Sequence, residues 1–301
     1  MARVLITGGS GLIGQHLCKK LQEKGYDVAI LTRSRKKETE ILTYTWDLNK
    51  NEIEKEAIDT ADFIIHLAGE DIGKKRWTAR RKQQIVDSRI KSGQLVFNKI
   101  REYKKDLKAF ISASAVGYYG FATSDKIFSE TDMPAKDFLG QTCRKWEQMS
   151  DRFVELEVRT VKIRTGVVLT KTGGALSKMM IPIKMGIGSA IGNGKQFIPW
   201  IHIDDLCGIY IKAIEDSNMN GAYNAVAPDQ ISNMGFTRTL AGILNKPFWF
   251  PSIPAIVMKI LFGQMSDILL KGNRVSADKI QATGYKFLLP NLEGAFKELI
   301  E

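Results

Sequence analysis

Cysteine and histidine are scarce in this chain. Its 301 residues hold 3 of each, and the cysteines, Cys18, Cys143 and Cys207, are widely separated and odd in number. That pattern argues against a disulfide framework and suits a reducing cytoplasm, the expected location. No C-x-x-C or H-x-x-H spacing occurs, so no metal is expected. Long apolar runs are missing too. The most apolar late stretch, IPAIVMKILFG, is short and broken by Lys259, which argues against a membrane span. An apolar strand begins almost at once at RVLITGG, so a cleavable leader is not expected. Acidic residues are in deficit, 33 against 44 Lys and Arg, for a net charge of +11. The excess gathers at RSRKK (33–37), KKRWTARRK (74–82) and REYKK (101–105). Such runs contact nucleic acid in some proteins and are solvated helix faces in many more. A polyanionic small ligand is the preferred explanation, and no nucleic-acid partner is expected. With 44% hydrophobic content the chain can bury one large core or two unequal ones, as a monomer or homodimer.

What is present begins with a β-α-β unit in the first thirty-five residues. VLI is a short buried strand, IGQHLCKKLQEKG carries apolar residues at Ile13, Leu17 and Leu21, and DVAILT is the second strand. Between strand and helix lie Gly8, Gly11 and Gly14. Backbone without side chains lets a pyrophosphate approach, and the helix start, with Leu12 and Ile13 in its first turn, offers unpaired N–H groups and a positive dipole end. A glycine trio alone is a weak signal; between a buried strand and an amphipathic helix it predicts dinucleotide binding.

The end of the second strand indicates which dinucleotide. NAD-binding units usually place Asp or Glu there for the ribose 2′-hydroxyl. Here stand Thr32, Arg33, Ser34 and Arg35. A guanidinium grips a 2′-phosphate that a carboxylate would repel, so NADP is expected, with Arg33 leading and Ser34 or Arg35 assisting. TYTWDLN places Asp47 near the expected adenine edge. DFIIHLAGED reads as a further buried strand whose end, Leu67, Ala68 and Gly69, lets backbone pass close to the cofactor. KAFISASAVGYYG reads as another, with Ser114 at its end and Tyr118 and Tyr119 beyond. Strands alternating with helices predict a doubly wound α/β parallel sheet of Rossmann type, with function at the strand C-terminal ends.

The glycine pattern, HLAG, ISASAVGYYG, RTGVVL and IPWIHIDDL together resemble the extended short-chain dehydrogenase/reductase superfamily. More narrowly, RWTARRKQQIVDSR (76–89), CRKWE, the segment 173–206, GAYNAVAPDQISN (221–233) and NRVSADKIQATGYKF (273–287) are similar to the epimerase-family proteins of its atypical branch. The resemblance spans the chain from first strand to final helix. It implies a Rossmann-type domain with NADP-type binding and a smaller C-terminal α/β substrate domain. The division expected here is 1–170 for the first, with 196–228 returning to it, and 171–195 plus 229–301 for the second.

Catalytic members of the superfamily carry a Tyr and, four residues on, a Lys on one helix face. The tyrosine moves the proton; the lysine lowers its pKa and holds the nicotinamide ribose. Anchoring FLGQTCRKWE on Glu147 puts Leu139 at the tyrosine position and Cys143 at the lysine position. None of the eight tyrosines has Lys four residues later. Lys145 lies roughly 200° round the helix from Cys143 and faces away; Arg144 reads as solvated. The substitutes are Ser114, Tyr118, Tyr119, Glu70 and Asp71, each with an equally ordinary packing or ion-pair role, and Cys143 as a reactive or inert thiol.

In the second half, Trp200 and His202 suggest a cleft wall, with Asp204 and Asp205 at a helix start. MIPIKMGIGSAIG reads as a mobile apolar lid. Trp249 and Phe250 read as pocket lining or core, IPAIVMKILFG as core or subunit contact. Asn273, Arg274 and Lys279 are candidates to hold an anionic substrate or to sit at the surface. Two functions are open: an oxidoreductase or epimerase-like enzyme acting on a small carbonyl, alcohol or sugar-type substrate, or an NADP-binding sensor or scaffold without turnover.

Overall fold

The computed structural model describes residues 1–34, 41–121, 123 and 125–300. Its first strand, β1 (Arg3–Thr7), already sets up two core layers, because successive strand side chains face opposite sides. Leu5 joins one apolar cluster with Leu31, Phe97 and Phe110, and Ile6 joins another with Leu17, Ile111 and Ile163.

The remaining strands are β2 (Asp27–Thr32), β3 (Leu42–Asp47), β4 (Glu52–Ile53), β5 (Phe63–His66), β6 (Ala109–Ala115), β7 (Ile127–Phe128) and β8 (Arg159–Thr165). They continue as β9 (Val167–Leu169), β10 (Phe197–Ile198), β11 (Trp200–His202), β12 (Gly221–Ala225), β13 (Ile231–Ser232) and β14 (Arg274–Val275). The central sheet runs β12-β8-β6-β5-β1-β2-β3-β4, and its pairs are parallel except β3 with β4. The chain winds outward from β1 to β3, then crosses back to β5 and onward. The order therefore reverses between β1 and β5, where ligands of doubly wound sheets bind.

Helices cover both faces. α1 (Leu12–Glu23) buries Gly14, Leu17, Cys18 and Leu21, a single helical stripe, and packs beside α6 (Ile203–Glu215). The other face carries α2 (Lys55–Asp59), α3 (Ala79–Tyr103) and α4 (Phe138–Asp151). Side chains start the last two: Thr78 accepts from Arg81 N–H, and Asp137 accepts from Gly140 N–H. A third cluster gathers Leu169, Leu176, Trp200, Phe236, Leu240 and Phe296 from β9, α5 (Gly174–Lys184), β11, α7 (Asn233–Ile243) and α11 (Leu292–Ile300). Each such fully buried side chain contributes about 1.5–3 kcal/mol.

Two sequence expectations change here. IPAIVMKILFG forms α8 (Ala255–Phe262), but it is not core: Met258 is its one buried residue, and Ile256 and Ile260 are 67% and 69% exposed. In MIPIKMGIGSAIG, the first part is the end of α5, pinned by buried Ile183, rather than a lid. The short helices α9 (Asp267–Leu270) and α10 (Asp278–Ala282) complete the C-terminal part. Among the described residues no helix is long and apolar enough to cross a membrane.

Candidate functional site

The loop between β1 and α1 lies directly on the end of β5. Gly8 has a φ of 72°, and a side chain on it would stand 3.0 Å from Ala68 N and Leu67 C. Gly14 allows the helix to start against the strand, since a Cβ there would fall 2.4 Å from Gly8 O. Gly11 precedes α1 without a side-chain cap, and the first turn, with Leu12 and Ile13, holds no acidic residue. Its leading N–H groups and dipole are thus free to receive an anion. Beside the loop a cavity of about 130 Å³ is bounded by Gly9, Ser10, Gln15, Ile30, Thr32, Ser34, Ile41 and Thr43. Its described lining carries hydroxyls and no carboxylate. Arg33 is exposed at the end of β2, where its charge reaches Glu70; Arg35 lies outside the described residues. These features fit a dinucleotide with an anionic adenosine end. Asp47 is not part of the described lining: its Oδ1 accepts from Asn49 N–H at 2.8 Å and closes its own turn.

The floor of the cleft is tied by a buried relay. Leu67 N–H donates to Thr7 O and Ala68 N–H to Thr7 Oγ1. The Thr7 hydroxyl lies 2.8 Å from His66 Nδ1, and His66 Nε2 lies 3.1 Å from Ser92 Oγ, which itself donates to Ser88 O. Burial, with the nearby Arg89 charge adding to it, drives His66 down to about 4, so the ring is neutral with its proton on Nε2. Gly69 sits against Arg89: a Cβ there would stand 3.1 Å from the guanidinium carbon. Glu70 is not a free base. Its Oε2 pairs with Arg81 Nη1 at 2.9 Å, and that hydrogen bond holds its carboxyl below the usual range. Asp71 accepts from Gly73 N–H through Oδ1.

The face where a Tyr and Lys would stand is apolar. Leu139 packs with Trp77, Ile85 and, from the C-terminal part, Met265 and Ile268. Gly117 backbone lies against Leu139 and Cys143. Burial pushes the Cys143 thiol up to about 12, so it is not the reactive thiolate considered above. Arg144 and Lys145 are exposed.

Two of the proposed substitutes serve a single buried network instead, and a third lies against it. The Ser114 hydroxyl donates to Glu147 Oε1 at 2.7 Å; Arg164 grips both Glu147 oxygens at 2.8 Å. Tyr119, 2% exposed, donates to Asn224 Oδ1 and accepts from Arg164 Nη1. Burial raises its pKa, so the hydroxyl stays protonated at neutral pH, and its proton is committed to Asn224. Tyr118 is half-buried, its ring 3.5 Å from the Arg164 guanidinium, and burial raises its pKa as well.

The C-terminal candidates are structural in the same way. Trp200 is fully buried and donates to Asp229 O, so it is core rather than cleft wall. His202 caps α6 by accepting from Asp204 N–H and reaches Glu298 at 2.9 Å. Asp205 accepts from Leu288 and Leu289 N–H. Asn273 donates to Tyr119 O and Gly120 O, Arg274 to Gln230, and Lys279 to Ala222 O. Trp249 is 71% exposed, its ring tilted against that of Phe250. Reading the sequence missed Arg81, Arg89 and Arg164. A signal existed for one: Arg89 falls one turn after buried Ile85 on the inner stripe of α3, whereas Arg164 stands in a strand that also carries Arg159 and Lys162 and so gives no contrast.

The NAD dependent epimerase/dehydratase family profile matches residues 4–226, and that of a domain of unknown function (DUF1731) matches residues 253–299. The epimerase family protein YfhF of Bacillus subtilis (strain 168) is 35% identical, covering 99% of this chain and 97% of its own. The human epimerase family protein SDR39U1 is 33% identical, with 99% of each chain covered. A crystal structure of human SDR39U1 (isoform 2) with NADPH superposes with a TM-score of 0.87 at 31% identity, covering 99% of this chain and 98% of that one. The glycine loop on the β1–β5 switch point, the doubly wound sheet and this end-to-end similarity lead to one conclusion: the chain belongs to the NAD dependent epimerase/dehydratase family.

Proposed function

We propose that this chain binds NADP(H) across the β1–β5 switch point and does so without a side-chain proton relay of the superfamily type. The observation that carries the reading is the open, uncapped and carboxylate-free start of α1, seated over Leu67–Gly69 beside a carboxylate-free cavity of isoleucines and hydroxyls at the end of β2. The pyrophosphate sits on the helix N–H groups, and the 2′-phosphate lies by Ser34 and Arg33. Human SDR39U1, similar along its whole length and solved with NADPH, supports the same ligand.

Under this reading the protein is a cofactor-occupied sensor or scaffold, because Leu139, Cys143, Ser114 and Tyr119 are all committed to packing or buried pairing. A second reading has one observation in its favour. The C-terminal part closes against the candidate nicotinamide side, with Met265 and Ile268 packed on the Leu139 cluster, as a substrate-enclosing domain would. It makes the protein an oxidoreductase or epimerase-like enzyme on a small carbonyl, alcohol or sugar-type substrate, with Tyr118 the remaining hydroxyl.

Calorimetric titration tests the cofactor. NADPH is expected to bind more tightly than NADH, and Arg33→Asp to narrow or reverse that preference. Equal affinities unaffected by the substitution would remove the phosphate assignment. Nicotinamide absorbance followed against aldehydes, ketones and nucleotide sugars then separates the two readings, since turnover on any of them rejects the sensor.

A further inference from the structure

The helix face that lacks a lysine has a cation beside it from another helix. Arg89 rises from the inner stripe of α3, and its guanidinium lies against Gly69 on the cleft floor, where a Cβ would stand 3.1 Å from Cζ and 3.4 Å from Nε. It covers the Trp146 indole at 4.8 Å, and its charge acts on the Cys143 thiol. Trp146 and Cys143 are consecutive inward positions of α4, so the guanidinium occupies the space between the end of β5 and the face that a lysine at 143 would use.

This cation is poorly neutralised. Nη1 donates to Ile85 O at 2.9 Å, its one hydrogen bond among the described residues, and it makes no ion pair there. The nearest carboxylate of the loop, Glu70, is already held by Arg81. The Arg89 side chain is half-buried, so its remaining N–H groups are open to an acceptor that a ligand brings into the cleft. Arg81 differs: it is more deeply buried, and its Nη groups donate to Glu70, Gln84 and Asp71 O.

Building on the NADP(H) reading, we infer that Arg89 replaces the absent lysine as the residue that positions the nicotinamide half of the cofactor, donating its free N–H groups to the oxygens of that ribose. Glycine at 69 is then required for a second reason, since any side chain there displaces the guanidinium. Arg89 is a positioning residue, and no proton passes through it.

The test compares two ligands of the full-length protein by fluorescence titration: NADPH, and adenosine 2′,5′-bisphosphate, which carries the adenine end alone. Arg89→Met is expected to weaken NADPH roughly tenfold or more, the loss of one or two charge-assisted bonds, while leaving adenosine 2′,5′-bisphosphate unchanged. Arg89→Lys keeps the cation over Trp146 and is expected to retain most of the NADPH affinity. Adding Cys143→Lys to Arg89→Met places an ammonium at the superfamily position and is expected to recover part of the loss, which a packing role for Arg89 would not produce. Unchanged NADPH binding in Arg89→Met overturns the inference, as do equal losses for both ligands or no recovery in the double variant. Wild-type protein that binds neither ligand overturns the cofactor reading itself and this inference with it.

Discussion

Arg164 holds Glu147 by two bonds, Nε to Oε1 and Nη2 to Oε2, both 2.8 Å, with 4% and 7% of the side chains exposed. The glutamate that marks the superfamily helix is here the centre of a buried network joining β6, β8, α4 and, through Tyr119 and Asn224, β12. Such a pair is costly to bury and far costlier to break.

Removing one partner is therefore expected to destabilise strongly. Glu147→Leu leaves the Arg164 charge buried without its carboxylate and should cost about 3–5 kcal/mol in urea unfolding. The double substitution Glu147→Leu with Arg164→Met should cost less than Glu147→Leu alone. Additive losses would show that the two residues do not act as a pair.

His66 makes stability depend on acid. Its value in the fold, about 4, lies below its ordinary 6.5, so between those pH values the unfolded chain binds a proton that the folded chain refuses. Its contribution is complete above about pH 6.5 and declines as pH falls toward 4, by on the order of 3 kcal/mol. His66→Gln retains a donor and an acceptor without titrating, so its stability should fall less over the same window. Parallel pH profiles for the two proteins would refute the burial of a neutral imidazole.

The thiols should be silent in the native protein. All three, Cys18, Cys143 and Cys207, are free and buried, and burial raises Cys18 to about 11 and Cys143 to about 12. A disulfide-exchange reagent at pH 8 is expected to label none of them in the fold and all after unfolding. Rapid native labelling of Cys143 would return it to the list of chemically active residues.

Gly14 tests the loop. A methyl group there would lie 2.4 Å from Gly8 O and 2.6 Å from Gly9 Cα, backbone atoms that cannot rotate aside. Gly14→Ala should shift the helix start off the loop and weaken NADPH by roughly tenfold or more, a loss of about 1.4 kcal/mol or greater. Wild-type affinity in this variant would mean that close strand–helix packing is not what shapes the phosphate seat.

Several features were legible in the residues alone: the β-α-β start, the alternation of strand and helix, and the absence of the Tyr and Lys from α4. They are local. Periodicity places Leu17 and Leu21 on one stripe, glycine marks where backbone must pass close to backbone, and a missing side chain is missing in any fold. Tertiary structure decided what the remaining polar residues do. Ser114, Tyr119, Glu70, His202 and Asn273 each carry chemistry that suits catalysis, yet each meets a partner on another segment of the chain: Glu147, Asn224, Arg81, Glu298 and the backbone of Tyr119. Nor does the order of residues reveal that Arg89 of α3 lies beside Cys143 of α4, or that Ile256 and Ile260 face outward. Whether a charge is paired, buried or left free depends on which distant segment packs against it, and that is settled only when the sheet closes and the helices dock on it.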